Sequence, residues 1–266
     1  MTQARPITDA LAAAERLVIT VRRDPASIVL VLAAPAVLVL IFGYIFGAAI
    51  QLPGSAAGSA DYREFLIPGL LVTMAFNIIP SMVSIARDTD RGIVDRFRSL
   101  PISRSAIPAG QAIATSLYAL VGFAVMMLCG LAVGWRIRDG AIRALAALGL
   151  LVLFQFAMTW VGMYLGQLLG KEEAAGQASI LVLPLGMVSN VFVPTTGMPG
   201  WLRLIADWNP ISAVSAAVRD LFGNPGAPTN GAWPLEHPIT ATLIWITFIL
   251  AVFAPLCTAR YARTGR

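Results

Sequence analysis

The most charged stretch of the chain runs from Arg87 to Arg104 and holds five arginines and three aspartates. Only 12% of the whole chain is charged, and long apolar runs lie on both sides of this stretch. We therefore expect a loop between two membrane spans, with side chains suited to ionic docking of a partner. The alternative is a juxtamembrane loop whose arginines only set the orientation of the chain in the membrane.

A short amphipathic helix is predicted inside this loop. Asp88 or Thr89 has the kind of side chain that caps a helix start. Leu100 and Pro101 would end the helix, because proline disfavours the helical conformation in the residue before it. The residues that fall on one apolar face are Ile93, Val94 and Phe97. Such a helix would present an apolar face and an arginine-rich face across the mouth of two spans.

Groups that make or break bonds are scarce in the sequence. It has no G-x-x-x-x-G-K-[ST] phosphate loop, so we do not expect this chain to bind ATP in the P-loop manner. The single histidine, His237, has no partner at metal-ligand spacing, and Cys129 and Cys257 lie inside apolar runs. The predicted spans contain no Asp, Glu, Lys, Arg or His, which argues against coupling to an ion or proton gradient. We therefore expect no catalytic, metal or cofactor site in this chain.

Composition indicates a membrane protein. The 266 residues are 58% hydrophobic, and the mean hydropathy is +0.77. The net charge of +5 does not require nucleic acid, because the basic residues stand at the ends of apolar runs.

Six spans in an all-α membrane domain are predicted. Residues 1–25 form an N-terminal segment, 26–260 the membrane domain and 261–266 a tail. Within the first segment, Ile7–Arg23 has the pattern of an interfacial helix, and a frayed tail is the alternative. The spans are expected at about residues 26–50, 65–86, 105–135, 144–170, 174–193 and 238–259. The connections include a small-residue loop at Gln51–Glu64 and a tight turn at Arg136–Arg143.

The distribution of basic residues predicts the orientation. With both termini inside, 13 of the 19 Lys and Arg residues lie on the inner side and 6 on the outer side. Because cytoplasmic loops carry the excess of Lys and Arg, both termini are expected in the cytoplasm.

The segment between the last two predicted spans has helix signals of its own. Pro199 would open a short helix with an apolar face that includes Trp201. Asn209 followed by Pro210 suits a cap and first residue of a second helix, which Gly223 would close. Both helices are too short to cross a membrane, so we expect re-entrant or interfacial helices on the outer side. A simple extracellular loop is the alternative.

Two motifs resemble those of a known family. Residues 90–104 read D-R-G-I-V-D-R-F-R-S-L-P-I-S-R, similar to the charged loop of ABC-2 type permeases. The later segment has F-V-P at 192–194, M-P-G-W-L at 198–202, N-P-I-S at 209–212 and Arg219, similar to the family's segment before the last span. The similarity extends over essentially the whole chain and is strongest to the daunorubicin-resistance permeases of actinobacteria. Asp90 is a departure, since many relatives carry Glu there.

The resemblance implies a non-enzymatic subunit of a bacterial plasma membrane, in an actinobacterium. Two copies of a separate ATP-binding-cassette ATPase, which carry ATP and Mg, would act with this permease and a second identical or related copy. The loop would be the coupling helix, and Lys171–Glu173 a lesser contact. The implied coupling residues are Asp88, Asp90, Arg91, Gly92, Ile93, Val94, Asp95, Arg96, Phe97, Arg98, Leu100, Pro101, Glu172 and Glu173. The implied outer re-entrant residues are Pro194, Pro199, Trp201, Asn209, Pro210 and Arg219.

The expected substrates are hydrophobic drugs, antibiotics or lipids, in contact with membrane lipids and without nucleic acid. The residues proposed for their path are Gly43, Met74, Phe76, Asn77 and Thr115. Export of polysaccharide or a lipid-linked glycan is the second hypothesis, disfavoured because aromatic residues total only 9%. A membrane scaffold or sensor without transport is the third, and a membrane enzyme is the last.

Overall fold

The computed structural model describes residues 37, 39–41, 58–92, 106–226 and 231–263. Within these ranges all the regular elements are helices. Four helical stretches within these ranges are long and apolar enough to cross a membrane: Tyr62–Asp90, which contains the break described below, Pro108–Ala132, Gly140–Leu169 and Pro238–Arg260. The all-helical class is thereby confirmed. The predicted helix Ile7–Arg23, most of the predicted first span and residues 93–105 lie outside the described residues.

The predicted second span is two helices. Helix α1 covers Gly58–Phe76 and helix α2 covers Ile79–Asp90. The break lies next to Pro80, which has no N–H to donate to the carbonyl of Phe76, four residues earlier. Helical structure also begins inside the stretch predicted as a loop that ends at Glu64.

The predicted helix start at Asp88 or Thr89 is wrong. Both residues belong to the last turn of α2, which ends at Asp90 with Arg91 as its C-cap. Gly92 follows in the left-handed conformation, with a φ of 66°, which glycine adopts without strain. Aspartate and threonine are also tolerated at the end of a helix, so these residue types alone do not mark a helix start.

The next two spans are continuous helices close to the predicted bounds. Helix α3 covers Ala106–Ala132, and helix α4 covers Gly140–Leu169. Gly170 ends α4 in the left-handed conformation, with its N–H bonded to the carbonyl of Gly166. The turn between α3 and α4 ends earlier than predicted, because Arg143 already lies in the first turn of α4.

The predicted fifth span, 174–193, is not one continuous helix. It comprises helix α5 (Glu172–Ala178), a 3-10 turn (Ser179–Leu181) and helix α6 (Val182–Met187), followed by a non-helical segment. Pro184 cannot donate to the carbonyl of Ile180, which lies in the 3-10 turn, and this lost hydrogen bond disfavours a regular α-helix at this point.

The segment before the last span folds as the sequence predicts. Helix α7 covers Gly200–Trp208, helix α8 covers Pro210–Phe222, and helix α9 covers Trp233–Glu236. The Asn209 side chain accepts a hydrogen bond of 2.9 Å from the N–H of Ile211, and Gly223 closes α8 with a φ of 69°. The last long helix, α10, covers Pro238–Arg263.

Helix α4 lies at the centre of the described bundle and packs against α1, α2, α3, α8 and α10. Its contact with α2 is the tightest, because Gly162 and Gly166 face that helix without a side chain. A Cβ on Gly166 would overlap the carbonyl oxygen of Met82, and one on Gly162 would lie 2.6 Å from the carbonyl oxygen of Ile78. This is the close approach that a G-x-x-x-G pair allows between membrane helices.

Candidate functional site

At one end of the bundle, an ion pair joins α2 to α5. Nε of Arg87 donates to Oε1 of Glu172 over 2.8 Å, and Nη2 of Arg91 lies 3.9 Å from Oε2 of the same carboxylate. The hydrogen bond from Arg87 holds the pKa of Glu172 below its ordinary value. The two helix ends are therefore linked through a single carboxylate.

Several residues predicted for coupling are brought together at this end. Asp90, Arg91, Gly92 and Glu173 are exposed around the Arg87–Glu172 pair. Asp88, in the last turn of α2, is half-buried. The other residues of that prediction lie outside the described residues: Ile93, Val94, Asp95, Arg96, Phe97, Arg98, Leu100 and Pro101. The sequence placed α2 and Glu172 in one region but did not identify the ion pair, because its partners are 85 positions apart.

Three of the residues predicted for a substrate path lie at the helix break between α1 and α2. Met74 and Phe76 are in the last turn of α1, and Asn77 is in the break itself. The N–H of Asn77 reaches back to the carbonyl of Met74 over 3.2 Å, and Oδ1 of Asn77 accepts from the N–H of Ile79 over 3.2 Å. Asn77 is exposed, and the ring of Phe76 packs 3.5 Å from the position of a Cβ on Gly186. Irregular backbone at membrane depth occurs where it is covered by protein or faces a water-filled cavity.

The residues predicted for the path also include Thr115 and Gly43. Thr115, on α3, donates its hydroxyl to the carbonyl of Gln111 over 2.8 Å, so that hydroxyl is engaged within its own helix. Gly43 lies outside the described residues.

Toward the other end, Arg219 is fully buried among backbone carbonyls. Its Nη2 donates to the carbonyl oxygens of Asn190 over 3.1 Å and of Val191 over 2.9 Å. Its Nε donates to the carbonyl oxygen of Phe65 over 2.9 Å, and the guanidinium carbon lies 3.6 Å from the centre of the Phe65 ring. One side chain of α8 thus binds both α1 and the non-helical segment after α6.

Three further side chains satisfy the backbone of that segment. The Tyr62 hydroxyl donates to the carbonyl of Phe192 over 3.2 Å, and Nδ2 of Asn209 donates to the carbonyl of Val188 over 2.6 Å. Oγ of Ser212 accepts from the N–H of Asn190 over 3.0 Å. We call Tyr62, Asn209, Ser212 and Arg219 together the 188–192 clamp.

Gly69 permits the close approach that the clamp requires. A Cβ at this position would lie 2.7 Å from the carbonyl oxygen of Val191 and 3.1 Å from Nη2 of Arg219. The motif in the sequence includes Asn209, Ser212 and Arg219, whereas Tyr62 and Gly69 were missed, since no local pattern marks their partners.

Of the other residues predicted for this segment, Pro194 is buried, whereas Pro199 and Trp201 are exposed. The carboxylate of Asp207, for which the sequence suggests no partner, accepts from the Thr195 hydroxyl over 2.6 Å. Asp207 is buried, so this bond ties the 3-10 turn Thr195–Gly197 to α7.

Ion pairs also hold the turn between α3 and α4. Arg138 binds Glu64 of α1 through two hydrogen bonds, of 3.1 Å from Nε and 2.6 Å from Nη2. Nη2 of Arg143 lies 3.1 Å from Oδ2 of Asp220 at the end of α8. The turn and the first turn of α4 therefore fasten α1 and α8 at the clamp end of the bundle.

Comparison with known proteins assigns the family. The ABC-2 type transporter family matches residues 8–222. The chain is 30% identical to the daunorubicin resistance ABC transporter permease protein DrrB1 of Streptomyces coeruleorubidus, over 92% of this chain and 83% of that protein. It is 26% identical to the probable doxorubicin resistance ABC transporter permease protein DrrC of Mycobacterium tuberculosis H37Rv, over 69% of this chain and 63% of that protein. It is 25% identical to the probable multidrug ABC transporter permease YbhR of Escherichia coli K12, over 68% of this chain and 50% of that protein. The chain belongs to the ABC-2 type transporter family and is a membrane permease.

Proposed function

We propose that this chain is the permease subunit of an exporter that moves hydrophobic drugs, antibiotics or lipids out of a bacterial cell. The observation that carries the proposal is the similarity to the daunorubicin resistance permease over 92% of this chain. The M. tuberculosis and E. coli relatives, named for doxorubicin and multidrug transport, support the same substrate class. A separate ATP-binding-cassette subunit, in two copies, would supply the energy through bound ATP and Mg. A second permease copy would complete the membrane part.

The proposed architecture has six spans with both termini in the cytoplasm. Four spans correspond to the long apolar helices, the first would lie within 26–50, and the interrupted fifth span would lie within 174–193, after Glu172 and Glu173 at the start of α5. Residues 1–25 would lie at the inner surface, 26–260 would form the membrane domain, and 261–266 would be a cytoplasmic tail. The excess of Lys and Arg on the proposed inner side supports this orientation.

The proposed ATPase contact is the exposed edge around the Arg87–Glu172 pair, continued by residues 93–101. Since α2 and α5 share the Glu172 carboxylate, a force on this edge would act on both helices. The tight packing of α2 on α4 through Gly162 and Gly166 would carry that motion into the centre of the bundle.

The proposed substrate path passes the helix break at Asn77. The exposed amide of Asn77 and the apolar side chains of Met74 and Phe76 offer one polar contact among hydrocarbon groups. Gly43 and Thr115 remain predicted members of this path. The 188–192 clamp and helices α7 and α8 would close its outer end.

Transport by the reconstituted complex tests the proposal. The chain is co-expressed with a candidate ATP-binding-cassette ATPase subunit, purified in mild detergent and placed in vesicles. We expect a stoichiometric complex whose ATPase rate rises with doxorubicin and which moves the drug only with ATP. A chain that purifies with no nucleotide-hydrolysing partner would favour a scaffold or sensor. A complex that hydrolyses ATP but responds only to lipid-linked glycans would instead assign the second substrate class.

A further inference from the structure

A groove lies between the end of α7, helix α9 and the first half of α10. Its volume is about 270 Å³ and its surface is almost wholly apolar. The residues that line it are Trp208, Trp233, Pro234, Ala241, Ile244, Trp245 and Phe248. None of them carries a charge, so the groove offers nothing to fix a charged ligand.

The size and the apolar surface of the groove indicate which class of ligand it binds. Pockets for drug-sized ligands hold roughly 300–1,000 Å³ and include a few polar groups that fix orientation. This groove is smaller and lacks such groups. Water finds no hydrogen-bond partners on this lining. A hydrocarbon chain matches the lining, because it needs no polar partner.

The surroundings of the groove place it against lipid. Helix α10 is one of the four candidate spans, and only 22% of its most apolar window is buried in the bundle. Ile244 and Phe248 are exposed on α10 and also line the groove. Helix α7 exposes Trp201, Leu204 and Ile205, so the apolar surface continues past Trp208 onto α7.

Two exposed tryptophans indicate the level of the groove in the membrane. Trp208 and Trp233 are exposed at the edge of the groove, where α7 and α9 precede the span. Tryptophan is enriched at the level of the lipid headgroups, since its ring is apolar and its N–H is a donor. The groove therefore begins at the membrane surface and extends along α10 toward the hydrocarbon core.

We propose that this groove binds one acyl chain of a membrane lipid in the leaflet next to α7 and α9. The chain lies along Ile244 and Phe248, and the headgroup stays outside, near the tryptophans. Because no charged residue lines the groove, binding selects for the chain and not for the headgroup. This site is separate from the proposed substrate path at Asn77 and does not depend on which compound is exported.

Lipid binding to the purified full chain tests the site. Native mass spectrometry follows the titration of dioleoylphosphatidylcholine, dioleoylphosphatidylglycerol and single-chain oleoyl lysophosphatidylcholine. We expect one saturable site that takes all three with affinities within about threefold. Ile244→Trp, which fills the groove with an indole, is expected to weaken that site at least about tenfold.

The matched control is Leu243→Trp, because Leu243 is exposed on the same helix but does not line the groove. It should leave the affinity unchanged. Ala241→Phe is a second filling variant from the buried side of the groove. Equal effects of Ile244→Trp and Leu243→Trp, or no effect of either filling variant, would overturn the proposal.

Two other occupants give distinct results. If doxorubicin displaces the lipid and Ile244→Trp abolishes drug stimulation of the ATPase, the groove is a substrate site. If Ile244→Trp converts a dimer to a monomer, a second permease copy covers the groove. Either result rejects the lipid site, whereas loss of transport in the parent complex alone would reject only the proposed function.

Discussion

Arg219 of α8 and Val191 of the non-helical segment are joined by a hydrogen bond of 2.9 Å from Nη2 to the backbone carbonyl oxygen. This guanidinium donates to the backbone carbonyl oxygens of Phe65, Asn190 and Val191, and its Nη1 donates to the side-chain Oδ1 of Asn190. A backbone that leaves the helix inside a membrane protein needs such donors, because lipid supplies none. The buried charge is thus explained by the broken chain beside it.

Replacing Arg219 with Met should destabilise the permease. The change leaves buried carbonyl oxygens without a donor, at a cost of about 1–3 kcal/mol for each. Arg219→Lys should also be destabilising, because a single ammonium cannot reproduce the planar fork. Thermal unfolding followed by fluorescence-detected size exclusion measures both effects. Arg136→Met, at an exposed arginine, is the control and should stay near the parent. A parental melting temperature for Arg219→Met would contradict the role of the clamp.

Gly166→Ala should weaken the packing of α2 on α4. The added methyl would overlap the carbonyl oxygen of Met82, and overpacking of this kind costs about 1–3 kcal/mol. Gly149→Ala is the matched control on the same helix, since no atom lies within 4 Å of its Cβ position. It should be neutral or stabilising by up to about 1 kcal/mol. Unfolding in urea-containing micelles compares the two, and equal effects would show that the helix contact is not tight.

Pro80→Ala should reduce transport while assembly with the ATPase is retained. The alanine restores an N–H that can donate to the carbonyl of Phe76, which favours a continuous helix through Asn77. We expect a loss of about tenfold in drug export, equivalent to about 1.4 kcal/mol in the barrier. Pro108→Ala is the control, because Pro108 lies in the first turn of α3, where no helical donor is needed. Export at the parent rate by Pro80→Ala would show that the helix break is not required for export.

Phe97→Ala and Ile93→Asp should uncouple ATP hydrolysis from export. Both change the apolar face predicted for the coupling helix, so the ATPase should bind weakly although membrane insertion is normal. Co-purification and drug transport in the same vesicles measure the two properties. Ile142→Ala removes a strongly exposed side chain at the opposite end of the bundle and is the control. Export at the parent rate by either loop variant would show that the docking assignment is wrong.

The Arg87–Glu172 link should be lost only in acid. Since Arg87 lowers the pKa of Glu172, the link contributes to folded stability at and above the ordinary pKa of about 4.5. That contribution disappears as the pH falls through the lowered pKa of the folded state. Thermal unfolding between pH 3 and pH 7 should show this loss in the parent and not in Glu172→Gln. Identical pH profiles would mean that the pair does not couple to folding.

Local signals account for what the sequence predicted well. Asn209 followed by Pro210, with Gly223 thirteen residues after Pro210, defines α8 without any tertiary information. The interruptions were missed because Pro80 and Pro184 stand within apolar runs, and hydropathy does not register a lost N–H. The 188–192 clamp could not be predicted from the sequence for another reason. Arg219 and Phe65 are 154 positions apart, and no periodicity reports such a contact.

The break at Asn77 has a mechanical consequence. In a continuous helix, rotation of one end about the axis turns the other end, because the hydrogen-bond ladder resists torsion. Here the ladder is interrupted between Phe76 and Ile79. Helix α2 can therefore turn or tilt with α5 while α1 keeps its orientation against Arg219. The span therefore consists of two rigid helices joined at one flexible point.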